Sequence, residues 1–190
     1  MRALVTGATG FIGAHVARHL RNAGHEVRGL VRPGGTPADA LPDGVVPVIG
    51  DVRDVDAVAR AARGVDAIFH VAALYSLSRR RAAAVRSVNV DGTRVVIDVA
   101  RASGARLVHT SSVATIGIPG DGTHGDEETP QPLSQVIGAY KASKVEAEGL
   151  VRRAVGTGLQ AFIVNPTAPI GPGDHHPTPT GRLVRDALDG

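Results

Sequence analysis

Short runs of aliphatic and β-branched residues recur along the chain, separated by stretches whose apolar positions return at helical spacing. The runs predict strands at 2–6 (RALVT), 26–31 (EVRGLV), 45–49 (VVPVI), 66–72 (DAIFHVA), 106–111 (RLVHTS) and 160–164 (QAFIV). Each is mostly apolar, as a strand covered on both faces must be. Helices are expected near 11–22, 54–63, 82–103 and 138–156. Strand, helix and strand at this spacing imply βαβ crossovers. The expected fold class is therefore α/β, a doubly wound parallel sheet with helices on both faces.

Three connections are longer than crossovers need. Residues 32–44 contain two proline turns, 117–136 are rich in Gly, Pro and acid, and 165–181 hold five prolines. Long ordered loops in such a domain are usually functional. The last two follow the fifth and sixth strands, at the carboxyl edge where doubly wound sheets bind ligands.

Composition narrows the chemistry. A chain of 190 residues reads as one domain with a core that needs no staple. It has no cysteine, which excludes a disulfide framework, a thiolate metal site and a cysteine nucleophile. With aromatics at 3%, the core must be aliphatic. Of 21 basic residues only Lys141 and Lys144 are lysines, and the arginines are scattered apart from Arg79-Arg80-Arg81. No basic stripe with interleaved aromatics is present, so a nucleic-acid partner is not expected. The apolar run at the start is too short for a signal peptide, and nothing approaches a membrane span. A cytoplasmic location is the default. His175-His176 has no third ligand at suitable spacing, so no metal is expected.

The first turn carries the clearest chemistry. Thr6-Gly7-Ala8-Thr9-Gly10-Phe11-Ile12-Gly13 follows a strand directly and opens a helix. Glycines there allow a tight turn, close approach of a pyrophosphate and close helix–strand packing, and the helix N-terminus favours an anion. The bland alternative is a glycine-rich turn without a ligand. About twenty residues on, an acid would normally accept from the adenosine ribose. Position 32 is arginine instead, and residues 27–38 contain no acid. Arg32 would attract a 2′-phosphate, which favours NADP(H), with NAD(H) as the alternative. The bland alternative is a solvated loop arginine. Asp51-Val52 after the third strand is placed to meet adenine, or simply to start a helix.

Tyr140 and Lys144 stand four apart on a predicted helix and share a face. A phenol is a poor acid or base at neutral pH, and a nearby ammonium lowers its pKa. Lys141 is off that face. A hydroxyl is also needed to hold the reacting oxygen, and the fifth strand ends in Ser111-Ser112 at the appropriate rim. Ser112 is the first choice and Ser111 the second. Asn89 could satisfy backbone near the lysine. His70 is expected to pack near a cofactor without chemistry. Asp121, Asp126, Glu127 and Glu128 could touch substrate or form a solvated acidic loop.

TGATGFIG, GDVRD, FHVAA, NVDGT, TSSVATIG, DEETP, YKASK and NPTAPIGPGD occur in the order seen in extended short-chain dehydrogenases/reductases. The chain thus resembles the NAD-dependent epimerase/dehydratase superfamily over essentially its whole length. SSVATIGIPGDGT, IGAYKASK and IVNPTAPIGPGD make it most similar to hopanoid-associated sugar epimerases, neighbours of dihydroflavonol reductases. The resemblance implies a Rossmann-type domain and a Ser112–Tyr140–Lys144 catalytic triad. Gly7, Thr9, Gly10, Phe11, Ile12 and Gly13 would bind the pyrophosphate side of the cofactor. It places Asp51 and Val52 at adenine, Ala72 and Ala73 along the cofactor, and Pro166 and Thr167 near the nicotinamide. Arg32 resembles the NADP-selecting arginine of the reductase branch.

The implied activity is hydride transfer at a secondary alcohol or ketone of a sugar nucleotide or related small molecule. The rivals are a non-catalytic NADP(H)-sensing protein of the same fold and an inactive fragment. Family members run well over a hundred residues further, into a small substrate lobe, and homodimers are expected of the full-length form. On that comparison residues 165–190 begin the substrate-binding region of a truncated chain. Exposed apolar surface is then expected near 117–136 and 165–181.

Overall fold

Neighbouring side chains of a strand point to opposite faces, so Leu4 and Val5 of β1 (Arg2–Thr6) need cover on both sides of a sheet. In the computed structural model, which describes residues 1–35, 40–174 and 178–189, both are fully buried. β1 is flanked by β2 (Glu26–Val31) and β4 (Ala67–His70), with β3 (Val46–Ile49) beyond β2 and β5 (Arg106–Thr110) and β6 (Ala161–Val164) beyond β4. All pairings are parallel, in the order β3-β2-β1-β4-β5-β6. The sheet is the doubly wound, Rossmann-type arrangement expected, and its order reverses between β1 and β4. That switch point opens a crevice at the carboxyl ends.

Helix α1 (Phe11–Asn22) covers one face, where Ala17 packs with Val5, Val27 and Val45. On the other face α2 (Val55–Ala61), α4 (Gly92–Ser103) and α5 (Ala139–Gly156) bring Val58, Val96 and Val151 onto Leu4, Ile68 and Leu107. A further helix, α6 (Pro179–Asp189), closes the described chain. No helix among the described residues is long and apolar enough to cross a membrane. At the outer margin, β3 leaves Val46 and Ile49 exposed and carries Pro47 near its centre, a residue that sheets tolerate at edges.

Three elements differ from the expected ones for local reasons. The run 66–72 stops pairing at His70, because the backbone N–H groups of Val71 and Ala72 turn to donate to Thr6 Oγ1, at 3.2 and 3.1 Å. The single helix expected over 82–103 is two helices, α3 (Ala82–Arg86) and α4, joined by a π turn over Ser87–Asp91. A π turn inserts one residue into the helical ladder and rotates the turns beyond it. Here it buries Asn89. The helix over 54–63 is shorter than expected, starting after Asp54, whose carboxylate accepts from the N–H groups of Asp56 and Ala57.

Backbone contact at the switch point demands glycine at two positions. Gly7 has φ +71°, and a Cβ there would sit 2.8 Å from the Ala72 backbone. A Cβ on Gly13 would come within 2.0 Å of the Gly7 carbonyl oxygen. At Gly10 the nearest atom would be 3.3 Å away, a much milder conflict. Gly13→Ala should therefore lower stability by about 1–3 kcal/mol, and Gly10→Ala by less. Urea midpoints of the two variants check this ordering, and equal midpoints would show that the turn yields without cost.

Candidate active site

The crevice at the switch point is a cavity of about 1240 Å³. One end is bounded by the glycine turn, from Gly7 through Thr9, Gly10, Phe11 and Ile12 to Gly13. Helix α1 starts there without a side-chain cap and without an acid in its first turn. Its first N–H groups are thus open to an anion and aligned with the positive end of the helix dipole. Without Cβ atoms, Gly7 packs onto the Ala72 backbone and Gly13 onto the Gly7 carbonyl, and this tight turn borders that space. This cradle fits a dinucleotide pyrophosphate.

Arg32 and Asp51 line the same cavity beyond the glycines, together with Val52, Ala72 and Ala73. Arg32 is exposed just past β2, at the head of a turn in which Gly35 N–H donates to the Arg32 carbonyl. Pro33 and left-handed Gly34 at the two central positions are the residues such a turn favours. Asp51 is gripped by Arg53, whose Nε and Nη2 donate to its two oxygens at 2.8 Å each. That pairing, outweighing burial, holds the carboxyl below its usual range. The acid that shares this wall with Arg32 is thus already neutralised by another arginine.

The opposite wall carries Ser112 and Tyr140. Of the two serines, Ser112 faces the cavity, its Oγ accepting from Ala114 N–H at 3.2 Å. Ser111 is buried and donates instead to Glu148 at 2.6 Å. Tyr140, near the start of α5, packs on Tyr75 with ring centroids 4.4 Å apart, and Tyr75 lines the cavity too. Thr167 reaches the cavity. Pro166 is not among the lining residues and uses its carbonyl to accept from Val113 N–H.

Lys144 is a correction to the expected electrostatics. It is buried beneath the cavity wall and donates to the Thr110 carbonyl at 2.9 Å. Burial pushes its ammonium down to about 8, with Glu148 opposing the shift. The expected lowering of the Tyr140 pKa is not seen. Burial pushes that phenol up, and the neighbouring Tyr75 adds to the rise. The lysine is aimed at a main-chain carbonyl rather than at the phenol.

Further polar groups lie below this wall, of which Glu148 and His109 gave no spacing signal. Glu148 is buried on α5, one turn beyond Lys144, and accepts from Ser111 and Thr115 at 2.6 Å, Asn165 at 2.9 Å and Arg152 at 2.8 Å. Burial raises its pKa, but these donors prevail and hold it below the usual carboxyl range. Asn89 pairs with Leu74, accepting from its N–H at 2.7 Å and donating to its carbonyl at 3.1 Å, and also donates to Ser143. His70 and His109 lie side by side, ring centroids 5.4 Å apart. Burial, aided by the Lys144 charge, pushes His70 down to about 3. Burial likewise drives His109 well below its usual value, and neither of its ring nitrogens has a hydrogen-bond partner among the described residues. His70 is buried beneath the cavity wall and is not among the residues that line it.

The acidic loop turns inward on itself. Asp121 accepts from Thr123 and Asp126 from Glu128 and Thr129, and none of Asp121, Asp126, Glu127 or Glu128 lines the cavity. Exposed apolar side chains do gather in and beside the two long loops. Ile118 is 92% and Ile137 89% exposed, and Leu133 and Ile170 are exposed as well. Among the described residues no group of three or more His, Asp or Glu side chains is arranged to hold a metal ion. His175-His176 lies outside the described residues.

Residues 3–189 match the model of the NAD dependent epimerase/dehydratase family. A Synechocystis protein carrying the name putative dihydroflavonol 4-reductase is 44% identical over 181 residues, covering 95% of this chain and 52% of its own. Sterol demethylase protein B of Methylococcus capsulatus is 35% identical over 191 residues, covering 100% of this chain and 58% of its own. The chain thus spans about half the length of the curated relatives it matches. Among solved structures, Thermus thermophilus UDP-glucose 4-epimerase in complex with NAD superposes with a TM-score of 0.84 at 28% identity. It covers 98% of this chain and 61% of that one. The dTDP-glucose 4,6-dehydratase DesIV of Streptomyces venezuelae, with NAD and TYD bound, gives 0.82 at 31% identity, covering 100% of this chain and 63% of that one.

The Glu148 cluster makes a pH prediction. A carboxyl held low in the folded state contributes stability above its unfolded value, near 4.5, and loses it as pH falls through the folded value. Glu148→Leu should cost on the order of 3 kcal/mol at neutral pH, because the donors packed around the carboxylate lose their acceptor. The gap to the unmodified protein should narrow as the medium is acidified below that range. Urea unfolding at a series of pH values measures it, and a constant gap would refute the assignment.

Proposed function

The chain belongs to the NAD dependent epimerase/dehydratase family, and from that premise we propose that it binds a nicotinamide dinucleotide in this cavity and acts on a secondary alcohol or ketone. When bound, the nicotinamide would supply or accept the hydride. The protein's part is orientation and proton transfer. Tyr140 exchanges the proton with the substrate oxygen, and Ser112 holds that oxygen by a hydrogen bond. Lys144 grips the nicotinamide ribose and biases the phenol once it leaves the Thr110 carbonyl. The glycine turn and the first N–H groups of α1 hold the pyrophosphate, Val52 and Asp51 meet the adenine, and Ala72, Ala73, Pro166 and Thr167 flank the rest. The observation that carries this reading is that Ser112 and Tyr140 stand on one wall of a cavity whose other end is the uncapped start of α1.

The substrate is a sugar nucleotide or a related small molecule, with 165–190 contributing to its binding. The reductase branch is favoured over the NAD-bound epimerases by Arg32, and we read the cofactor as NADP(H). A non-catalytic, cofactor-sensing protein is the second reading. It draws on the Lys144–Thr110 contact and the raised phenol.

Two measurements test these readings. Arg32→Ala should weaken NADPH binding by roughly tenfold or more, the scale of one charge-assisted phosphate contact of about 1.5–3 kcal/mol, and leave NADH binding nearly unchanged. Titration calorimetry with both nucleotides decides it, and equal affinities in the unmodified protein would remove the NADP(H) preference. Tyr140→Phe should keep nucleotide binding and lower carbonyl turnover by roughly 10²-fold or more. Absence of turnover in the unmodified chain, with binding intact, would favour the sensing protein or the inactive fragment over catalysis by this chain.

A further inference from the structure

We propose that His70 is a positioning residue that, as its neutral Nε2–H tautomer, carries a one-way hydrogen-bond chain from the glycine turn to Asn89 and so sets the cavity wall that holds Tyr75 and Tyr140. The inference rests on the reading of that cavity as the active site.

The direction of the chain comes from counting donors and acceptors. A threonine hydroxyl has one proton to donate and two lone pairs. Thr6 Oγ1 already accepts from Val71 N–H and Ala72 N–H, so both lone pairs are used. Its proton is left for His70 Nδ1, 2.8 Å away, which must be the acceptor. At the other end Thr93 donates its hydroxyl proton to the Asn89 carbonyl at 2.6 Å. His70 Nε2, 3.0 Å from Thr93 Oγ1, must therefore carry the hydrogen and donate it. The opposite tautomer would reverse both ends at once. A second ring proton would aim an N–H at a Thr6 oxygen with no lone pair to spare.

The chain ends on a residue that organises the cavity. Asn89 lies in the π turn, and the Thr93 hydroxyl donates to its carbonyl. Asn89 so held meets both main-chain polar groups of Leu74, fixing the segment that presents Tyr75. Its amide also donates to Ser143, whose hydroxyl donates to the Tyr140 carbonyl at 2.6 Å. One neutral imidazole thus couples the phosphate end of the cavity, through Thr6, to both tyrosines. His70 does not line the cavity, so its action is through Asn89.

The test uses the 190-residue protein without substrate. Long-range nitrogen–proton NMR of the imidazoles should show His70 as the Nε2–H form, with no titration between about pH 5 and 8, across the ordinary histidine range. Thr93→Val should abolish the tyrosine signal in near-ultraviolet circular dichroism, to which Tyr75 and Tyr140 are the sole tyrosine contributors and no tryptophan adds. Thr93→Ser, which keeps the hydroxyl, should restore it. A His70 in the Nδ1–H form, or one that charges in that range, would overturn the proposal even if Thr93→Val failed to fold. So would a tyrosine signal unchanged in a folded Thr93→Val. Neither readout involves nucleotide, so failure of the unmodified protein to bind NADPH would count against the proposed function alone.

Discussion

Everything in the site hangs on how closely two pieces of backbone approach at the carboxyl ends of β1 and β4. Gly7 lies against the main chain of Ala72, and Gly13 lies over the carbonyl of Gly7. Neither approach leaves room for a Cβ. Because the turn is so tight, α1 begins directly behind the sheet edge and points its unpaired N–H groups across the crevice. The same closeness lets the Thr6 hydroxyl reach past its own strand to capture two N–H groups of the next. The strand ends there because of that capture, and the freed segment becomes the floor and side of the cavity. One steric constraint thus fixes an anion cradle, a strand terminus and a cavity wall.

Below the wall lies a polar layer that an α/β core does not ordinarily hold. His70, His109, Lys144 and Glu148 are all buried there. Groups of this kind are costly unless neutral or fully bonded. Glu148 takes the second route, with four donors around it. The two histidines take the first. Lys144 is between the two, with a carbonyl partner and a pKa pushed down by burial. An ammonium has three donors, and this one donates to the Thr110 carbonyl.

Much of the fold was legible because it is written in local patterns. Apolar runs placed every strand to within a residue or two, and the glycine spacing with its flanking strand and helix marked the phosphate cradle. The i, i+4 relation of Tyr140 and Lys144 put them on one helix, but periodicity could not say that the lysine would turn to Thr110. The π turn was hidden for a similar reason. It accompanies the reach of Asn89 to Leu74, a contact between residues whose spacing has no helical meaning. Glu148 and Tyr75 were missed because their partners come from separate segments of the chain. Ser112 and Ser111 could be ranked from sequence, yet only the carboxylate behind Ser111 shows why that serine faces inward.

The proline in β3 has a consequence for the sheet as a whole. A strand added beside an outer edge must be stitched rung by rung to free N–H and C=O groups. Pro47 has no N–H, so that margin lacks a rung near its middle, and β3 is short besides. β6, at the other margin, contains no proline and exposes Phe162 and Val164. Among the described residues the two margins of the sheet thus differ. Intermolecular strand pairing, including the unwanted kind that leads to aggregates, is discouraged on the β3 side.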